Sequence, residues 1–295
     1  MHRRQFAFSC AATLVPFLTC YADEGEAIAG ETWRLTDPGW GDNRASYMPD
    51  GKSLLFASNR TGMSQIWTMQ PDGLKMRRLL MSEANDYGRV APSSDGTRLC
   101  FSSDRSGENA IYVMDLGSGA VSSISDPGWW SYGPTWSARD LIAYFSRKGG
   151  NRLNIWTVRP DGSQARQMTE RPGDSRQPWW SPDGATLALS ADGGTGSSQI
   201  WLTAADGLAA RAVTTRGDWQ QPVWSPDSRR LAVSVKVDAP CFRIMVIDLD
   251  GSSIRPIQQP EAVDNVHPIW SPDGASIVFS SGIEKSGALW KFAFA

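Results

Sequence analysis

The stretch Pro178-Trp179-Trp180-Ser181-Pro182-Asp183-Gly184, PWWSPDG, recurs along the chain with small changes. It returns as PVWSPDS from Pro222 and as PIWSPDG from Pro268. Aligning the Trp that precedes SPD gives six equivalent positions, 44 to 46 residues apart: Tyr47, Pro92, Trp136, Trp180, Trp224 and Trp270. A second series keeps the same period: Trp67, Tyr112, Trp156, Trp201, Met245 and Trp290. Two series with one period indicate six copies of one structural unit.

Each copy contains four short segments with the composition of β-strands. In the fourth copy they are QPWWS, TLALSA, QIWLTA and ARAVT, and Asp-Gly turns follow the first and third. Four strands in a period of about 45 residues are typical of a β-propeller blade. The segment 32–36, TWRLT, matches the fourth-strand pattern, and the sixth copy stops after its third strand. We therefore predict an all-β protein, a single six-bladed β-propeller over residues 31–295, with an N-terminal strand completing the last blade.

The first residues have a different composition. Arg3 and Arg4 precede an apolar run and then small residues, which predicts a signal peptide over residues 1–22, followed by a short linker over 23–30. The apolar run is too short to span a membrane. The sequence predicts a periplasmic or secreted protein, and leaves general secretion, a twin-arginine route and lipoprotein processing at Cys20 open.

The overall charge is mildly acidic, with a formal net charge of -2 at pH 7. Removing residues 1–22 leaves 27 basic and 31 acidic side chains, which argues against a nucleic-acid partner. The glycine-rich stretch 193–197 sits in a hairpin pattern without a following helix, so it does not predict a phosphate site. No spacing of metal ligands is visible, and we predict no cofactor and no metal.

Function is expected where the copies differ. Three residues before the aligned Trp stand Arg44, Arg89, Gly133, Gln177, Gln221 and His267. Blades 6, 1 and 2 are neighbours in a closed ring, so His267, Arg44 and Arg89 are predicted to form a cationic arc at the mouth of the central channel. The alternative is that these side chains bond to neighbouring loops or water.

Aromatic and acidic residues lie near the same positions. Tyr87, Trp129, Trp179 and Trp219 are predicted to form an aromatic platform for a ligand, with packing of the loops as the alternative. Six residues before the aligned Trp stand Gly41, Asp86, Trp130, Asp174, Asp218 and Asp264. An Asp in most copies predicts a loop cap that accepts backbone hydrogen bonds rather than an acid-base pair or a metal site.

The motif WSPDG, followed about twenty residues later by Ile-Trp, resembles the repeats of TolB-like propellers, also called PD40 or WD40-like repeats. The resemblance implies one of several functions: binding of proteins in the periplasm, a peptidase propeller, or an oligogalacturonate lyase. The peptidases need a Gly-x-Ser-x-Gly elbow, which the chain lacks. The lyases use several histidines around a metal, and His267 is the one histidine after residue 22.

These observations predict a non-catalytic binding propeller that takes a protein or peptide partner in the cell envelope, or a small acidic ligand, at the channel mouth. We expect a monomer and predict no catalytic residues. The alternative is a lyase acting on an acidic saccharide or small carboxylated substrate, with His267 transferring the proton. A purely structural role in an envelope assembly is the third possibility.

Overall fold

The computed structural model describes residues 26–207, 209–237, 239–282 and 287–295. The predicted signal peptide lies outside these residues. The described residues form 24 β-strands in six four-stranded antiparallel sheets, and no helix occurs among them. The predicted all-β, six-bladed propeller is confirmed.

The strands follow one another in chain order within each blade. β1 (Gly30–Arg34) stands alone at the start. Blade 1 contains β2 (Asn43–Tyr47), β3 (Leu54–Ser58), β4 (Gln65–Met69) and β5 (Arg77–Arg78). Blade 2 contains β6 (Asp86–Pro92), β7 (Arg98–Ser106), β8 (Glu108–Asp115) and β9 (Val121–Ser123). Blade 3 contains β10 (Ser131–Trp136), β11 (Ile142–Ser146), β12 (Asn154–Val158) and β13 (Arg166–Gln167).

The second half of the ring repeats this arrangement. Blade 4 contains β14 (Ser175–Trp180), β15 (Thr186–Asp192), β16 (Ser198–Ala204) and β17 (Ala210–Ala212). Blade 5 contains β18 (Asp218–Trp224), β19 (Arg230–Lys236), β20 (Arg243–Asp248) and β21 (Ile254–Pro256). Blade 6 contains β22 (Asn265–Trp270), β23 (Ser276–Ser281) and β24 (Ala288–Phe294).

The N-terminal strand completes blade 6, as predicted. β1 pairs with β24 from Gly30 opposite Phe294 to Arg34 opposite Trp290. The strand begins two residues before the predicted segment 32–36. Its ladder ends earlier because the backbone N–H groups of Leu35 and Thr36 both turn to the carbonyl of Leu289, at 2.8 and 3.4 Å.

The copied motif builds the turn after each first strand. In blade 4, Ser181 Oγ donates to Asp183 Oδ1 at 2.6 Å and accepts the N–H of Thr186 at 2.9 Å. Asp183 Oδ1 also accepts the N–H of Ala185 at 2.9 Å, and Gly184 takes a φ of 66° that favours glycine. The Ser-Pro-Asp-Gly sequence is therefore a self-contained turn.

The second series places the third strand of each blade in the core. The residue before each aligned position is completely buried in all six blades: Ile66, Ile111, Ile155, Ile200, Ile244 and Leu289. Branched aliphatic side chains pack well on a strand, and each such burial contributes about 1.5–3 kcal/mol. The two series thus define a rigid ring whose inner strands surround the axis.

Candidate functional site

A pocket of about 110 Å³ lies on the axis, at the end where the first strands begin. We call it the mouth pocket. All six predicted ring positions line it, together with an apolar wall: Arg44, Arg89, Gly133, Gln177, Gln221 and His267 from the ring positions, and Tyr132, Pro134, Phe145, Pro178 and Pro222 from the wall. The structure therefore brings together five of the predicted site residues, and Phe145 is an additional residue that the sequence did not single out.

The ring residues owe their direction to a β-bulge in each first strand. Every first strand shifts register against the second strand of its blade. Five ring residues have positive φ angles of 54° to 61°: Arg44, Gly133, Gln177, Gln221 and His267. For a residue other than glycine this conformation costs on the order of 1–2 kcal/mol. Such backbone strain concentrates at functional sites, where it directs side chains.

Arg89 departs from this pattern. In blade 2 the residue with positive φ is Gly88, at 80°, and it lies four positions before Pro92 instead of three. The bulge extends from Tyr87 to Ala91, opposite Ser102 to Cys100, so this strand carries one residue more than the others. Arg89 is that additional residue. The prediction that Arg89 is structurally equivalent to Arg44 and His267 is therefore wrong, and Gly88 takes the equivalent position.

The longer bulge brings Arg89 across the channel. Its Cζ lies 4.3 Å from the centroid of the Trp179 ring in blade 4, and its Nη2 donates to the carbonyl of Pro268 in blade 6 at 3.4 Å. Burial and then the charge of Arg44 lower the pKa of Arg89 to about 9, so the guanidinium stays protonated at neutral pH. Arg89 lines the mouth pocket, whereas Trp179 is not among the residues that line it.

Arg44 is the second cation of the pocket. Its Cζ lies 5.6 Å from the centroid of the Tyr132 ring, and its Nη1 donates to Asn43 Oδ1 at 3.4 Å. Within the described part of the chain, neither Arg44 nor Arg89 forms an ion pair. The pocket therefore holds two positive charges that no carboxylate of the described residues pairs with.

His267 contributes a neutral imidazole. It is 9% exposed, and its Nδ1 has no hydrogen-bond partner among the described residues. Burial, followed by the charges of Arg44 and Arg89, holds its pKa well below the usual 6.5. The ring is therefore uncharged at pH 7, and the predicted arc consists of two cations and a neutral imidazole.

The two glutamines tie the blades together. The backbone N–H of Gln221 donates to Gln177 Oε1 at 3.0 Å, and that of His267 donates to Gln221 Oε1 at 2.7 Å. Ser234 Oγ also donates to Gln221 Oε1, at 2.7 Å. The carbonyl oxygens of both glutamines are thus engaged in bonds between blades, as in the alternative of bonding to neighbouring loops.

A series of serines adds further hydrogen bonds between neighbouring blades. These serines were not identified from the sequence. They occupy the fifth residue of the regular second strand: Ser58, Ser102, Ser146, Ser190, Ser234 and Ser280. Ser102, Ser190 and Ser280 each accept, at 3.1 Å, the backbone N–H of the ring residue in the next blade. The regular spacing of these serines, 44 residues in four steps and 46 in the last, is the signal that could have revealed them.

The predicted aromatic platform is only partly assembled. Trp179 contacts Arg89, and the Tyr87 ring lies 5.8 Å from that of Tyr132 while its hydroxyl donates to Asn109. Trp219 is buried in the core between blades, and its indole N–H donates to the carbonyl of Arg216. Trp129 is exposed on a loop of the mouth face. None of the four predicted platform residues lines the mouth pocket.

The loop aspartates cap loops, as predicted. Asp174, Asp218 and Asp264 accept the backbone N–H groups of Leu153, Ser198 and Phe242 at 2.7 to 3.0 Å. In blade 2 this role falls to Asn85, which accepts the N–H of Ser64 at 3.2 Å.

Asp86 has a different partner because of the longer strand. It pairs with Arg105 at 2.6 Å, and Asp42 pairs with Arg60 at 2.7 Å in blade 1. Among the described residues, no group of three or more His, Cys, Asp or Glu side chains is placed to hold a metal. At the mouth, the two arginines beside His267 would repel a divalent cation, so these residues do not fit one.

The fold and the pocket define a class of protein: a six-bladed propeller with a cationic axial pocket. The model of the TolB β-propeller domain, PD40, matches residues 46–152 and 140–294. The chain belongs to the TolB β-propeller family.

Relatives of known family match only part of this chain. A TolB homologue from Chlorobium luteolum is 32% identical over 139 residues, which are 47% of this chain and 31% of that protein. The match therefore spans less than a third of the relative. No helix among the described residues is long and apolar enough to cross a membrane.

Solved structures share the fold at low identity. TolB from Acinetobacter baumannii is 18% identical with a TM-score of 0.65, over 85% of this chain and 63% of that one. An oligogalacturonate lyase in complex with manganese is 15% identical with a TM-score of 0.62, over 92% of this chain and 97% of that one. TolB and an oligogalacturonate lyase therefore share this architecture.

Proposed function

We propose that this protein is an exported, non-catalytic binding propeller that takes a carboxylate group of a protein or peptide partner into the mouth pocket. The observation that carries the proposal is the pair Arg44 and Arg89, which share one pocket without an acidic partner from the described residues. A partly buried cation without a counter-charge is unfavourable, and a bound carboxylate would relieve that cost.

The size of the pocket favours the end of a larger molecule. Drug-sized ligands occupy about 300–1,000 Å³, whereas the mouth pocket encloses about 110 Å³. This volume equals three to four water molecules at about 30 Å³ each. A carboxylate with one or two carbon atoms fits these limits better than a sugar ring.

The charges cannot provide the whole affinity. A carboxylate about 4 Å from one guanidinium gains roughly 4 kcal/mol at an effective dielectric constant of 20. Part of that energy offsets the loss of hydration, and micromolar binding requires about 8 kcal/mol. Contacts outside the pocket are therefore needed, which favours a peptide over a small free acid.

The proposed location follows from the predicted signal peptide and from the TolB homologues. The partner would then be a protein of the cell envelope, and the propeller would bind it as a monomer.

The test compares short peptides ending in glutamate with a free or an amidated C-terminus, and a third with an internal glutamate and an amidated end. Calorimetry with the double variant Arg44→Ala/Arg89→Ala should show at least a hundredfold weaker binding, since losing a paired charge costs about 2–5 kcal/mol. The control is Arg77→Ala/Arg211→Ala, which removes the same charge from the exposed outer strands β5 and β17. Unchanged binding by the first double variant would refute the proposal.

One observation favours a second candidate, a lyase. His267 is neutral, lies beside two arginines, and has no hydrogen-bond partner for its Nδ1 among the residues that the structure describes. A base in this position could take the proton from the carbon next to a carboxylate, while the leaving group departs from the adjacent carbon and a double bond forms. Ultraviolet absorbance of the new double bond, with oligogalacturonate as substrate, would detect turnover. Turnover that is lost in His267→Gln, with binding retained, would favour this candidate.

A further inference from the structure

Large apolar side chains are exposed at a few positions, and most of these lie on one face. In the described part of the chain they are Trp33, Trp40, Leu74, Met81, Trp129 and Val263. Four of the six lie in loops that lead from the last strand of one blade to the first strand of the next. These loops surround the mouth pocket, because the ring residues follow them directly in the chain.

The four residues lie in consecutive loops. The loop with Val263 connects blades 5 and 6, and the loop with Trp40 connects blades 6 and 1. The loop with Met81 connects blades 1 and 2, and the loop with Trp129 connects blades 2 and 3. We call this set the apolar rim. In the two remaining blade-to-blade loops, residues 168–174 and 213–217, no large apolar side chain is exposed, and the exposed residues are Glu170, Pro172, Thr215 and Arg216. The apolar surface therefore covers one side of the mouth.

The same side carries the basic residues of the pocket. His267, Arg44 and Arg89 each follow a loop of the apolar rim at the start of the next first strand, in blades 6, 1 and 2. Gln177 and Gln221 follow the two remaining blade-to-blade loops. Apolar surface and positive charge are thus next to each other on one half of the ring.

The two tryptophans lie in matched turns. Asp-Pro-Gly-Trp occurs at 37–40 and again at 126–129. In the second copy, Asp126 Oδ1 accepts the N–H of Gly128 at 3.0 Å, and the N–H of Trp129 donates to the carbonyl of Asp126 at 3.2 Å. Trp40 and Trp129 are 48% and 40% exposed. Turns that hold a tryptophan in solvent reduce the entropy lost on binding.

Met81 adds a flexible side chain to the apolar rim. Met81 is 76% exposed, and its unbranched thioether side chain adjusts to different apolar partners. Trp and Met are both enriched at protein interfaces relative to other surfaces. The set has the composition of a peptide-binding surface.

We propose that the apolar rim binds an apolar segment of the partner that directly precedes the acidic group in the mouth pocket. This inference rests on the proposed function and narrows its ligand to a peptide with aromatic or aliphatic residues followed by a carboxylate. The rim provides the contacts that the charges of the pocket cannot, and its position on one side of the mouth fixes the direction from which the segment arrives.

The experiment uses two short peptides that end in the same glutamate with a free carboxylate. One has leucine and phenylalanine before it, and the other has serines. We expect the apolar peptide to bind at least about tenfold more tightly, since truncating one central aromatic contact usually costs more than about fivefold. In Trp40→Ser/Trp129→Ser, this advantage should fall to about twofold or less, and the serine peptide should bind as before.

The matched control is Trp33→Ser/Leu74→Ser, which removes two exposed apolar side chains that lie outside the rim. It should keep the full preference for the apolar peptide, and melting curves should show that both double variants are folded. Equal binding of the two peptides, with loss of both in Arg44→Ala/Arg89→Ala, would overturn the rim and leave the proposed function standing. Binding of the apolar peptide that persists without the arginines, or no binding of either peptide, would overturn both.

Discussion

The two ends of the central channel are built by the same six strands but differ in composition. The end opposite the mouth is a chamber of about 290 Å³, lined by aligned residues and by prolines of the copied turns, and none of the described residues that line it is charged. The mouth pocket is smaller and carries two guanidinium groups and an imidazole. The chamber uses the residues that repeat, and the mouth uses the residues that differ between copies. Repetition in this molecule thus marks the scaffold, and divergence marks the candidate site.

A residue from each end of the channel takes part in one cation–π contact. Trp179 lines the chamber, and Arg89 lines the mouth pocket, with the guanidinium 4.3 Å from the indole ring. The extra residue in β6 is what allows this contact. A residue of the longer bulge in blade 2 therefore contacts a residue that lines the opposite end of the channel.

The largest expected effect tests whether the repeated end is scaffold. Trp270 is buried and stacks on Phe294 with ring centroids 5.3 Å apart. We expect Trp270→Ala to lose about 3–5 kcal/mol of unfolding free energy, because a large cavity remains. Trp129→Ala, in an exposed loop, should change it by less than about 0.5 kcal/mol. Urea denaturation measures both, and similar losses would contradict the distinction between scaffold and site.

A second comparison separates two arginines of blade 2. Arg105 pairs with the buried Asp86 at 2.6 Å, whereas Arg89 has no acidic partner among the described residues. We expect Arg105→Met to lose about 3 kcal/mol, since it leaves a buried carboxylate unpaired. Arg89→Met should stay within about 1 kcal/mol of the wild type or exceed it, since it removes an unpaired charge. If Arg89→Met is as destabilising as Arg105→Met, then Arg89 serves the fold and not a ligand.

The smallest effect concerns the pH dependence of stability. The pKa of His267 is lower in the folded protein than its usual 6.5. As the pH falls below 6.5, the unfolded chain takes up the proton first, so the folded state loses stability by up to about 1.4 kcal/mol per pH unit. His267→Gln should lack this slope, and glutamine already occupies the same backbone conformation at Gln177 and Gln221. If the unfolding free energies of the two proteins change in parallel between pH 7 and 5, then the pKa of His267 is not lowered in the folded protein.

The period of the sequence was sufficient to predict the blades, their order and the closing strand. The aligned tryptophans and the Ser-Pro-Asp-Gly turns act locally, so their spacing transfers directly to the structure. The same counting also placed Arg44, Gln177, Gln221 and His267 around one pocket, because each lies three residues before its aligned position.

The repeat alignment did not predict side-chain directions that depend on the β-bulge. The 45-residue spacing between Tyr47 and Pro92 contained an extra residue, and Gly88, with its positive φ, was the sign that the bulge had moved. Trp219 was expected near the ligand but turns into the core, since position along a strand does not determine which way a side chain packs. Both outcomes depend on tertiary packing that a period does not encode.

The pairing of β1 with β24 also has a consequence for the order in which the protein can form. Gly30 and Phe294 are neighbours in the sheet but lie at opposite ends of the described chain. A ribosome adds about 5–20 residues per second, so the first strand waits on the order of 13–50 seconds for its partner to be made. During synthesis β1 has no site to occupy, and blades 1 to 5 can assemble before it is used. Closing the ring therefore requires a contact between residues 264 positions apart, from Gly30 to Phe294.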